Sequence, residues 1–368
     1  MFVLFLISGI GLLLVIAARF VLFDGESVTL KTSGKRPDIS IVIPARNEEQ
    51  NLPTLLQSLS GQTLPPIEIL VVDDGSTDDT AEVARNFGAK VLELSPLETG
   101  WRGKPFALQT GAGKTSGSHL LFVDADVELL PDCLEKLAAF TDDYDAVSVC
   151  PFHKIKRPYE QLSAFFNLLM VGGVGALSSF RGENRRTLFG QMLLVRRTHF
   201  EAVGGYEPVK DKVLENVFLA QHLRQKGSRC LALPGKGLVE MRMFPDGFQQ
   251  LVESWTKGFT TGTEAISKRL FTWSILWITG LFLVALPFLI SLPLAVISGR
   301  YGQAFPIWNF YLITTALLHA DFRKVGNFSY LNALLFPVSL TFHQWVFARA
   351  KRRRKQGLTT QWKGRDVA

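Results

Sequence analysis

The chain has 368 residues, 47% of them hydrophobic and 20% charged, with a formal net charge of +7. That length admits one large domain with attachments, and the hydrophobic share is high for a wholly soluble protein but low for one built only of membrane spans. Three cysteines, Cys133, Cys150 and Cys230, are odd in number and lack CxxC spacing, which argues against a disulfide framework and a structural zinc site and fits a reducing compartment.

The apolar sequence lies at the two ends. From Phe2 to Ala18 no residue is charged, which is long enough for a tilted membrane helix. A cleaved signal peptide would carry positive charge ahead of its apolar run; here Arg19 follows it instead. Residues 1–23 are therefore expected to form an N-terminal membrane helix, and 38–265, with ordinary charge, a soluble domain.

That domain opens on ISIVI, ended by Pro44, which reads as a buried strand and a loop. Leu52, Leu55, Leu56 and Leu59 then have helical spacing. Ile67 to Thr80, IEILVVDDGSTDDT, gives a second strand ended by Asp73 and Asp74, with Thr77 or Asp78 as the N-cap of a helix through Arg85. Lys90 to Leu94 and Leu120 to Val123 are two more strands. Strands alternating with helices predict an α/β fold with a mostly parallel sheet, helices on both faces, and ligand at the carboxyl ends of the strands. Three polar clusters fall at such ends: Pro44 to Glu48, Asp73 to Ser76, and Asp124-Ala125-Asp126. The last is open to two readings, a strand-end cap or a metal-phosphate site. GxGxxG, GxxxxGK[ST] and GxSxG are all missing, which argues against dinucleotide, P-loop and α/β-hydrolase sites.

Three further uncharged or nearly uncharged runs follow: Trp273 to Ser298, Tyr301 to Ala320 and Val325 to Ala348. Residues 270–349 are thus expected to be a membrane region of two or three spans. Tyr301 to Ala320, with Pro306, Asn309 and two threonines, is the weakest run and the one expected to be re-entrant or shallow. The tail 350–368 is basic; RAKRRRK, Arg349 to Lys355, directly after an apolar helix reads as an anchor to anionic lipid at the cytoplasmic face. No nucleic-acid-binding motif accompanies it.

IVIPARNEE, then VVDDGSTDDT about 25 residues on, then VDAD, resemble the family 2 glycosyltransferases of the GT-A fold, over Asp38 to Thr263. The membrane runs, MRMFPDGFQQLVESWTKGF and QWKGR (Gln361 to Arg365) resemble the subgroup that glycosylates carotenoid acids. The resemblance implies a nucleotide-sugar donor, with UDP-sugar expected, a divalent metal (Mg2+ or Mn2+), a lipid acceptor, inversion at the sugar carbon, and a catalytic domain facing the cytoplasm. It implies Asp126 as direct metal ligand and Asp124 on the ribose or on the metal through water. Asp73 and Asp74 would read the base; Pro44, Ala45, Arg46 and Glu48 would floor the pocket, Ala125 would line it, and Lys104 would lie near the nucleotide. Gly190 and Gln191 would sit beside the transferred sugar. Trp255 and Lys257 would contact the diphosphate or an acceptor channel, or lie on an interfacial helix. GGYEP, Gly204 to Pro208, is a turn that can be purely structural.

One position departs from the family. Its Glu-Asp pair, whose Asp is the general base, reads Glu215-Asn216 here, and an amide cannot take a proton. Either Glu215 is the base, or the acceptor arrives already ionised, or the protein only binds lipid or nucleotide. A processive polysaccharide synthase would carry Q-x-x-R-W; Gln249 and Gln250 precede ESW without that spacing. Phe165 to Phe180, apolar and rich in glycine, reads as a core helix or, preferably, as an element skimming the membrane. The number of spans is coupled to charge: three C-terminal crossings would export the basic tail, against the positive-inside rule.

Overall fold

The computed structural model describes all residues except 26–29, 31, 33, 35, 95–96, 180–186, 213, 262–266, 357–359, 363–364 and 368. Lys363 and Gly364 of QWKGR, Phe180, and the soluble domain's expected boundary at 265 lie outside the described residues. Helix α1 (Phe2–Leu22) is followed by β1 (Ile39–Ala45), α2 (Leu52–Ser60), β2 (Glu68–Asp73), α3 (Thr80–Asn86), β3 (Lys90–Glu93), α4 (Gly103–Ala112) and β4 (His119–Val123). Next come β5 (Val127–Leu129), α5 (Cys133–Ala138), β6 (Ala146–Cys150), β7 (Phe152–His153), α6 (Ala164–Gly173), β8 (Met192–Arg196) and α7 (Arg197–Ala202). The domain closes with α8 (Glu215–Gln225), β9 (Cys230–Pro234), β10 (Val239–Met241) and α9 (Phe248–Thr261).

The main sheet has the order β3-β2-β1-β4-β8-β6-β9. Its neighbours are parallel except at β8, which runs antiparallel to both β4 and β6. Alternation along β1 sends Ile41 and Ile43 into a core with α2 and α5, and Val42 into a second core with α4 and α8. Helices thus cover both faces, as expected. Ala45 stands opposite Asp73 and Val42 opposite Phe122, so β1, β2 and β4 deliver their loops to one edge. Helix α3 starts one or two residues later than expected, with Asp79 as its N-cap, because the Asp78 carboxylate accepts from the Thr80 amide and hydroxyl at 3.2 and 2.5 Å and spends those residues on a turn.

The C-terminal part is α10 (Lys268–Ser298), α11 (Tyr301–Val325), α12 (Tyr330–Leu334) and α13 (Phe336–Lys355). Helices α1 and α10 are long and apolar enough to cross a membrane. They pack at Gly11 and Gly280, where an added Cβ on either would sit 2.8 Å from the other's carbonyl oxygen. The pair Phe5–Phe310 and the ion pair Arg19–Asp321 (2.9 Å) lay α11 alongside α1 in the same direction. At the shared end, Phe165 of α6 packs at a tilt on Trp277 and edge-on against Phe322, joining the bundle to the soluble domain.

Two expectations are corrected here. The run expected to be re-entrant is one continuous helix, α11, despite Pro306, because Thr314 and Thr315 are buried in the bundle and Thr314 bonds the Phe310 carbonyl. It is instead the run from Val325 to Ala348 that breaks, between α11 and α12, and its α13 packs on α9 and α6. The expected membrane-skimming element is the buried helix α6: Phe165, Phe166 and Leu168 are all at most 2% exposed.

Candidate active site

The loops after β1 and β2 are zipped together. Arg46 donates to the Asp74 carbonyl at 2.7 Å, the Asp74 amide to the Ala45 carbonyl at 2.9 Å, and the Asn47 amide to the Ser76 hydroxyl at 3.0 Å. Asn47 takes φ +52, a left-handed conformation asparagine tolerates. The two adjacent aspartates divide the work. Asp73 turns back to accept from the Ser76 amide and hydroxyl at 2.9 and 2.5 Å; Asp74 lines the cleft. That cleft is walled by Pro44, Ala45, Arg46, Glu48, Asp74, Lys104, Asp124, Ala125 and Asp126, which brings together most of the residues expected there. Gly103 and Ala107 complete it. Sequence reading missed both, although two small residues four apart on one helix are the available signal for close approach of a ligand to α4.

Lys104 is the hub. Its ammonium lies 2.5 Å from Asp124 and 3.7 Å from Glu215 and donates to the Gly190 carbonyl at 3.1 Å. Burial works against its charge, but Asp124, Glu215 and Asp126 outweigh burial and hold its pKa above the ordinary lysine value. Glu215 opens α8 and is buried; burial raises its pKa, partly offset by Lys104. Solvent reaches Asp126, yet the enclosing protein and then the Asp124 and Glu48 carboxylates push it up to about 7.

This crowding tests the donor set for a metal. Among the described residues no salt bridge reaches Asp126, and no group of three or more His, Cys, Asp or Glu could hold an ion. Two hard carboxylates with no third protein ligand suit Mg2+ or Mn2+, which are bound through one or two carboxylates with phosphate and water completing the shell. The residues therefore fit a divalent cation shared with a phosphorylated ligand.

Gly190 and Gln191 stand behind Lys104; the Gln191 carbonyl accepts from the Asp124 amide at 2.9 Å. Asn216 is 2% exposed. It accepts from the Tyr206 hydroxyl at 2.7 Å and donates to the Phe189 carbonyl at 3.2 Å. The GGYEP turn is structural and also supports the site: Gly205 at φ +61 leaves no room for a Cβ beside Gln109, and Tyr206 orients Asn216. Lys257 stands in the same field: burial, then Arg102, lowers its pKa to about 8, with Lys104 adding and Glu215 opposing. Trp255 is the exception. It is 7% exposed, stacks on Phe166 at 4.8 Å and packs with Phe244 and Leu251. It belongs to the aromatic contact between α9 and α6; neither Trp255 nor Lys257 is in the cleft's lining, and Lys257, two residues on, projects from the other side of the helix.

A model of glycosyl transferase family 2 matches residues 40–204. A 4,4'-diaponeurosporenoate glycosyltransferase of Staphylococcus aureus is 32% identical over 336 residues, 90% of this chain and 88% of that protein. Among solved structures, the mannosyltransferase of Pyrobaculum calidifontis in complex with GDP-Man and Mn2+ is similar in fold, with TM-score 0.54 and 19% identity over 96% of this chain and 99% of that one.

Proposed function

This chain belongs to glycosyl transferase family 2 and is a glycosyltransferase, and we propose that it moves a sugar from a nucleotide-sugar donor, a UDP-sugar, to the carboxylate of an isoprenoid acid at a membrane, inverting the sugar carbon. The observation that carries this reading is the gathering of Asp74, Asp124, Asp126 and Lys104 around one cleft at the carboxyl edge of the sheet. Asp74 and Arg46 take the nucleoside, while Asp73 holds their loop. Asp126, with Asp124 directly or through water, would hold a divalent cation, which would supply the charge that a departing diphosphate needs. Lys104, kept charged by its carboxylate partners, adds to that charge beside the sugar.

The acceptor oxygen forms its bond to the sugar carbon as the bond to the diphosphate oxygen breaks, and the electron pair leaves with the diphosphate. A hydroxyl acceptor must give up a proton, and Glu215 is the group beside Lys104 able to receive it; Asn216 is not. A carboxylate acceptor loses none. The curated relative is named for such an acid, and the amide at 216 supports an ionised acceptor. Lys257 and Arg102 add positive charge on the Glu215 side, suited to that carboxylate.

The membrane reading takes α1, α10 and α11 as three crossings. Arg19, Lys268, Arg269, Arg323 and Lys324 lie at the end that meets the catalytic domain, and positive residues favour the cytoplasmic side. With α13 on that same side, the conflict between three C-terminal crossings and a basic tail disappears.

The test is nucleotide release by the detergent-purified full chain from a panel of nucleotide sugars, with a membrane lipid extract, with and without Mn2+ or Mg2+. Asp126→Asn is expected to lower turnover at least a hundredfold; metal-independent release that survives Asp126→Asn overturns the site. Product anomeric configuration opposite to the donor's supports inversion. Retained turnover in Glu215→Gln identifies an acceptor that needs no base.

A further inference from the structure

Helix α12 runs back along α11 to its middle, where Tyr311 donates to the Leu334 carbonyl and stacks on Phe336, and α13 returns from there toward α9 and α6; the two helices carry two kinds of unused surface. Tyr330, Leu331, Leu335, Val338 and Trp345 are exposed at 48 to 61%, a row of large apolar side chains on a segment that packs its other side on α9, α6 and the 3-10 turn Pro158–Ser163. Beyond Trp345 the helix has Arg349, Lys351, Arg352, Arg353, Arg354 and Lys355, and α13 holds no acidic residue. Where the two surfaces meet, Trp345, Ala348, Arg349, Arg352, Arg353 and Gln356, all on one face of α13, line an open hollow of about 310 Å³. The Arg349 guanidinium lies over the Trp345 ring, 5.8 Å from its centre, and its buried Nε has no hydrogen-bond partner among the described residues. A buried guanidinium N–H without an acceptor is costly, and phosphate oxygens match its donor geometry.

We propose that this hollow binds the phosphodiester headgroup of an anionic phospholipid, with Arg349, Arg352 and Arg353 on the phosphate and Trp345 at the depth of the headgroups. The apolar row continues from the hollow, so acyl chains and Leu335, Val338 and Trp345 share one phase. A soluble anion would match the arginines but leave that row in water. The site rests on the placement of the bundle in a membrane and not on the sugar chemistry. It fixes α13, and with it α9 and Lys257, at a set height above the bilayer.

The experiment puts the full chain in nanodiscs of phosphatidylcholine containing 0 to 30% phosphatidylglycerol and follows Trp345 by quenching from headgroup-proximal brominated lipid, with Trp345→Phe as the blank. Half-saturation at a low fraction of phosphatidylglycerol is expected, weakened at least about tenfold in Arg349→Gln/Arg352→Gln/Arg353→Gln. Arg354→Gln/Lys355→Gln, which removes charge outside the hollow, is expected to leave it nearly unchanged. Equal loss in both variants means diffuse charge and no site, and overturns the proposal. So does competition by millimolar inorganic phosphate, which means a small-anion site, and so does equal quenching by choline and glycerol lipids. Failure of the membrane reading shows separately, as release of the wild-type chain from membranes by carbonate.

Discussion

At position 216 one side chain's hydrogen bonds decide what chemistry is open to the site. Asn216 accepts from Tyr206 and donates to Phe189, and an amide does both while offering no site that takes up a proton. Replacing it with aspartate is chemically the smallest way to add a base here. Yet the new oxygen would face the Phe189 carbonyl at about the present 3.2 Å, and the loop carrying Gly190, which accepts from Lys104, would be pushed. Asn216→Asp is therefore expected to lose about 1–3 kcal/mol of stability and to lower turnover, read from thermal melting in detergent and from initial rates. A gain in turnover would mean that the reaction lacks a base after all. Sequence alone showed that the position is unusual; it could not show Tyr206, ten residues upstream and buried, as the partner that fixes the amide. Asp73 and Asp74 likewise look equivalent in the sequence, and only the Ser76 hydrogen bonds distinguish the one that shapes the loop from the one that faces the cleft.

Elements are held in register by a few contacts, two of which make testable claims. Glu68 begins β2 and accepts from Ser40 at 2.8 Å, from the Ser116 amide at 2.7 Å and from Lys90 at 2.9 Å, tying β1, β2 and the turn before β4. Burial alone would raise its pKa, but the Ser116 amide, Lys90 and the two hydroxyls together lower it from 4.5 to about 2. A lowered folded pKa means stabilisation that is whole above pH 4.5 and drains away as pH falls toward 2. Glu68→Gln is expected to cost about 2 kcal/mol at neutral pH, and its melting temperature should converge on wild type as the pH is lowered through that window. At the bundle, Gly280→Leu must force α1 from α10, since Gly11 leaves no space for a Cβ; a loss of about 1–3 kcal/mol or more, seen as protease cleavage between α1 and β1, is expected. The strands were legible because β-branched runs buried on both faces allow few alternatives. The antiparallel direction of β8 was not, since Met192 to Val195 are all buried and such a run reads alike in either direction.

For the whole molecule, the number of crossings decides on which side of the membrane the tail works. Composition ranked the run Tyr301 to Ala320 below the run Val325 to Ala348, because composition ignores partners. Helix α11 has 25 residues, about 37 Å at 1.5 Å per residue, enough to cross, and its threonines face the bundle. Helix α13 spends Phe342, His343 and Phe347 on α6 and α9 and ends in cations. The proposed three crossings would put the turn at Arg300 on one side of the membrane, and Lys114 of the soluble domain and Lys351 of α13 together on the other. Cysteine scanning can read this directly, since Cys133, Cys150 and Cys230 are buried and free, and burial holds the Cys150 and Cys230 thiols up at about 12, where almost none is thiolate. A membrane-impermeant maleimide on intact cells should label Arg300→Cys and spare Lys114→Cys and Lys351→Cys; inverted vesicles should give the opposite pattern. Labelling of Lys351→Cys from outside would make α13 a fourth crossing. It would also separate the arginine hollow from the cytoplasmic leaflet, and with it the coupling of α9 and Lys257 to the membrane surface.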